Sequence, residues 1–79
     1  MIDMPEEQII GIKKRIRESR KKRGLSVRDI SEKMSVSSMA IYKWENTGYT
    51  YSTILPTLDN IVRYCELLNI SADYLLLGK

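Results

Sequence analysis

Residues 26–46 read SVRDISEKMSVSSMAIYKWEN. Two helix starts are written into this stretch. Ser26 followed three residues later by Asp29 has the spacing of a capping box, with Asp where Glu is commoner, and Ser37 offers a second cap. Ile30, Ser31 and Met34 fall on one face of a helix over 27–34, and Ile41 and Trp44 on one face of a helix over 38–46, with Gly48 beyond it as a stop. Only about three residues separate the two helices, a short connection that must be a tight turn.

Working outward, residues 6–23 carry Ile9, Ile12, Ile16 and then Ser19 or Arg20 at spacings of three and four, which predicts an amphipathic first helix ended by Gly24. After this helix pair comes GYTYSTILP, with turn and β-favouring residues and no helical period, a long connection. Tyr49, Tyr51, Ile54 and Leu55 make it more apolar than a solvated loop requires, so these residues are expected to pack on something. Pro56 and a capping Thr57 introduce a fourth helix over 58–68 with Leu58, Ile61, Val62, Cys65 and Leu68 as its apolar set. Ser71 caps a short fifth over 72–77, closed by Gly78. No strand pair, repeat or low-complexity segment is apparent, and the fold class is all-α.

Seventy-nine residues support one hydrophobic core, so a single domain over 1–79 is expected, with 1–5 as an N-terminal tail. The chain has no His and one Cys, which leaves neither a Cys/His zinc site nor an internal disulfide, and no metal or cofactor is expected. Cys65 reads as a small buried hydrophobe. The N-terminal MIDMPEEQII is acidic where a secretory signal is basic, and no apolar run approaches the roughly 20 residues that span a bilayer. A cytoplasmic protein is the expectation.

Charge is concentrated. Residues 13–23 hold eight basic side chains against the single acid Glu18, +7 in a chain whose net charge is +3, so the remainder carries −4. Such a segment points to a polyanion, nucleic acid before anionic membrane, with a solvated helix face as the plain alternative.

The stretches YKWEN, LPTLDN and LLNISADYLL, together with Ile30, Met34, Val36, Ile41 and Trp44 at apolar positions and small Ser31 at the helix crossing, resemble the Cro and phage-repressor type of helix-turn-helix DNA-binding family. The resemblance runs from about Ile9 to Gly78 and implies a five-helix lambda-repressor-like domain. Two departures stand out. Val27 occupies a position where that family usually has Gln, and Ser35 sits where a turn glycine would supply positive φ, at roughly 1 kcal/mol for a non-glycine residue.

The resemblance implies that helix 3 enters the major groove of double-stranded DNA, with Ser38, Met39, Tyr42 and Lys43 meeting base edges. Phosphate contacts are implied for Ser37, Arg28, the amide of Val27, Lys14 and Arg17 from helix 1, and Thr47, Tyr49 and Tyr51 from the connection. Arg20 and Glu45 match a structural ion pair joining helix 1 to the end of helix 3. A homodimer is implied, with Tyr51, Ile54, Leu55 and Leu77 at its interface. The expected function is a sequence-specific transcriptional regulator, a repressor, on an inverted-repeat operator. The alternative is a protein-binding module of the same fold, such as an antitoxin or anti-repressor partner. With no His, no cysteine beside a base and no paired carboxylates, no enzyme is expected, and no small-molecule ligand is evident.

Overall fold

The computed structural model describes residues 4–48 and 53–79. Five helices follow one another: α1 (Glu6–Lys22), α2 (Val27–Met34), α3 (Ser38–Glu45), α4 (Leu58–Leu68) and α5 (Ala72–Leu77). Among the described residues there is no strand. The bounds of α2, α4 and α5 are those the sequence predicts, while α1 and α3 each stop one residue sooner, before Arg23 and Asn46.

The helix ends are set by local chemistry. α1 closes in a Schellman arrangement: Leu25 N–H donates to Arg20 O at 3.1 Å and Gly24 N–H to Lys21 O at 2.9 Å, with Gly24 at φ 71°. At the start of α2 the Ser26 hydroxyl accepts from Asp29 N–H at 3.0 Å, and the Asp29 carboxylate accepts from Ser26 N–H at 2.9 Å. Ser37 and Ser71 cap α3 and α5 in the same way, accepting from the amides of Ala40 and Tyr74.

Thr57 departs from expectation. It holds the N-cap position of α4, but its hydroxyl donates to the Asp59 carboxylate and accepts from Asn60 instead of capping a backbone amide. α3, for its part, ends before Gly48 is reached, because Asn46 turns extended and its side-chain oxygen takes the Gly48 N–H.

α1 packs on α3, α4 and α5, while α2 packs on α3. They share a core of Ile12 and Ile16 from α1, Ile30 and Met34 from α2, Ile41 and Trp44 from α3, Tyr64 and Leu68 from α4, and Leu75 from α5. The Trp44 and Tyr64 rings meet edge to face, with centroids 5.9 Å apart.

α4 corrects the sequence reading. Leu58 is 76% exposed and Val62 49%, whereas Tyr64 is wholly buried. The inward face runs Ile61, Tyr64, Cys65, Leu68, again at spacings of three and four, so the helix is rotated toward Tyr64 and away from Val62. Leu58 shares that period but lies one turn beyond the edge of the core. In the preceding segment Leu55 packs on the core and Pro56 is buried, while Ile54 stays more than half exposed. Tyr49 and Tyr51 lie outside the described residues.

Candidate nucleic-acid interface

The turn between α2 and α3 spans Ser35 to Ser37. Ser35 adopts left-handed backbone, φ 55° and ψ 42°. The strain is offset by hydrogen bonds that close the turn: Ser35 N–H and Val36 N–H both donate to Ser31 O, the latter at 3.2 Å, and Ser31 Oγ donates to Val36 O at 2.6 Å. Ser31 is thus more than a small residue at a crossing. Its hydroxyl pins the chain that leads into α3.

From this turn α3 projects with Ser38, Met39, Tyr42 and Lys43 on its outer side, all exposed, Met39 to 65% and Tyr42 to 59%. Their spacing of one, three and one residues puts them on one helical face, opposite buried Ile41 and Trp44. An open groove runs between this face and α1, lined by Met39, Tyr42 and Lys43 on one side, Arg17 and Lys21 on the other, and Thr47 at its end. Lys14, exposed, lies one turn before Arg17 on the same face of α1. Arg28 stands apart on α2, exposed and bonded to Glu32 at 3.2 Å, a surface pair of the kind that contributes little to stability. Ser37 and Val27 lie at the N-terminal ends of α3 and α2, where free amides and the helix dipole favour an anion.

The basic segment 13–23 does not act as one surface. Lys13 is fully buried, and its ammonium donates to the carbonyl of Lys43 and, at 3.4 Å, to that of Ile54. Burial holds its pKa below the ordinary lysine value. Arg15 donates to Leu75 O at 2.9 Å and Leu76 O at 3.3 Å, satisfying carbonyls at the end of α5. Arg20 is buried against Glu45, Nε to Oε2 at 2.8 Å and Nη2 to Oε1 at 2.9 Å, while Nη1 reaches Leu25 O at 2.8 Å. Three of the eight basic side chains therefore serve the fold, and Lys14, Arg17, Lys21, Lys22 and Arg23 remain exposed.

Charge counting alone misses the roles of Lys13 and Arg15. For Lys13 the signal exists: it falls on the apolar stripe of Ile9, Ile12, Ile16 and Arg20, the periodicity that marks Arg20 as inward. Leu77 is 54% exposed at the end of α5, and Leu55, half-buried, is less available than Ile54 and Leu77 among the described residues expected at the interface.

A short α2–turn–α3 pair on a three-helix support, with an exposed outer face on α3 flanked by cations, is the arrangement of a helix-turn-helix. The family model described as a helix-turn-helix domain matches residues 13–79, and the chain belongs to that family. No curated protein and no solved structure gives a significant match to it. Among the described residues no helix is long and apolar enough to cross a membrane.

Proposed function

We propose that this protein is a sequence-specific DNA-binding regulator, a repressor, that grips an inverted-repeat operator as a homodimer with α3 of each copy in a major groove. The observation that carries the reading is the groove in which Met39, Tyr42 and Lys43 of α3 face the same opening as Arg17 and Lys21 of α1. Lys43 donates to guanine O6 or N7, Ser38 bonds polar base edges, and Met39 with the Tyr42 ring offers apolar contact, for instance to a thymine methyl. Arg17 and Lys14, with Ser37, Thr47, Arg28 and the Val27 amide, take phosphates on either side, and Tyr49 and Tyr51 extend that set.

One α3 reads too few base pairs to select a site within a genome, so a second copy is required. Leu58 and Val62, exposed one turn apart on α4, supply an apolar stripe for pairing, to which exposed Ile54 and Leu77, half-buried Leu55, and Tyr51 add. Three or four such side chains fall short of the roughly 1,200–2,000 Å² of a standard stable interface, which makes the dimer weak until DNA completes it. The same stripe would serve a protein-binding module, the second reading.

Selection of bound sequences from a random duplex pool tests the proposal. A two-fold symmetric site with half-sites about one helical turn, ~34 Å, apart supports it. Absence of any enriched sequence, together with DNA affinity that barely responds to salt, favours the protein-binding reading.

A further inference from the structure

Lys13 is not used by the reading above, yet its burial is costly. A lysine at this position could be replaced by an apolar residue of similar length that fills the same space without desolvating an amino group. What its ammonium holds is specific. The Lys43 carbonyl is one of the last four of α3, which have no partner within the helix and lie at the negative end of its dipole. The Ile54 carbonyl lies where the chain returns from the long connection. One buried cation on α1 therefore ties together the two ends of residues 43–54, the segment that follows the exposed face of α3.

Arg20 makes the second attachment. It lies seven residues after Lys13, two turns along the same face of α1, and holds Glu45. A single anchor would fix only how far the end of α3 stands from α1. Two anchors about 10 Å apart along α1, at 1.5 Å rise per residue, also fix the angle between the helices.

We propose that Lys13 is a positioning residue for DNA recognition: its side chain, paired with the Arg20 anchor, sets the angle at which α3 presents Tyr42 and Lys43 and the place to which the connection returns. This rests on the DNA-binding reading of α3. Lys13 itself does not touch DNA, because its side chain is wholly enclosed.

The test is Lys13→Met, which keeps the stem and removes the donor, beside Lys14→Met on the exposed neighbour, using the enriched duplex and a scrambled one. Lys13→Met is expected to melt within a few degrees of the parent and to bind scrambled DNA with unchanged affinity and salt slope. It should lose at least about tenfold on the enriched site, the scale of one base contact. Lys14→Met should weaken both duplexes alike and flatten the slope. Should Lys13→Met fail to fold, Lys13→Gln, which retains a donor without the charge, carries the same comparison.

Specific affinity kept within twofold would overturn the proposal, and so would an equal loss on both duplexes. If the parent protein enriches no sequence at all, the DNA-binding reading fails separately. Amide hydrogen exchange then decides on Lys13: faster exchange at Trp44 to Asn46 and at Leu55 in the variant supports its anchoring role, and unchanged exchange removes it.

Discussion

Arg20 of α1 and Glu45 of α3 form a two-pronged ion pair, with both hydrogen bonds under 3 Å and side chains only 11% and 7% exposed. The arginine pKa is raised, first by the hydrogen bonds it donates to the Glu45 carboxylate, and the third guanidinium nitrogen donates to Leu25 O. The pair welds the end of α3 to the end of α1. Removing either partner strands the other in a site from which water is nearly excluded. Glu45→Ala is therefore expected to cost about 3–5 kcal/mol in thermal or urea unfolding, far beyond a surface acid. Arg20→Met combined with Glu45→Leu should recover much of the loss, because no charge is then left buried. Equal small effects from both variants would contradict the burial.

Tyr64 presents the opposite case. Its ring fills the centre of the core against Trp44, but its hydroxyl finds no hydrogen-bond partner among the described residues, and burial pushes its pKa up. An unpaired buried hydroxyl costs about 1–3 kcal/mol. Tyr64→Phe keeps the ring and should raise the unfolding free energy by roughly 1 kcal/mol, whereas Tyr64→Ala should lower it by about 3–5. A clear loss on Tyr64→Phe would mean the hydroxyl is satisfied.

Readout should divide by element. Lys43→Ala or Ser38→Ala is expected to change the preferred base at one position per half-site, by about 1–3 kcal/mol for a good contact. Arg17→Ala should instead weaken every sequence similarly and reduce the salt slope by about one. The measurement is repeated sequence selection with each variant. A preferred sequence untouched by the α3 changes would displace α3 from the groove.

Acid should act on the start of α2. The Asp29 carboxyl is held below the ordinary carboxylate range, first by the hydrogen bond from Ser26 N–H and then by the Ser26 hydroxyl. The folded form thus binds this proton less readily than the unfolded chain. The stability it contributes is complete above the unfolded value, about 3.9, and is lost as pH falls through the lower folded value. Asp29→Asn, which keeps an acceptor but cannot titrate, should show a shallower fall in melting temperature between pH 5 and 2, as read by circular dichroism. Asp59, held down first by the Thr57 hydroxyl, contributes to the slope that remains. Identical slopes would remove Asp29 from the acid response.

The helices are legible in the sequence because the signals that start and stop them act over three or four residues. Ser26 with Asp29, Ser37 and Ser71 bond amides three positions on, and Gly24 and Gly78 take the positive φ that ends a helix. The burial of Arg20 and Glu45 was within reach as well, since both are charged residues standing on otherwise apolar faces, while their pairing came from the family resemblance. Side-chain burial on α4 was not. Leu58, Val62 and Tyr64 all suit an amphipathic helix, and which of them turns inward depends on where α1 and α3 lie, not on anything within 58–68. The basic run 13–23 carries the same lesson. Eight cations look alike along the chain, but α1 is packed on several sides, so Lys13 meets the end of α3, Arg15 the end of α5, and Arg17 and Lys21 open solvent beside Tyr42. A free carbonyl at a distant helix end exerts no pull until the helices are packed, and only tertiary structure could decide which cations it would claim.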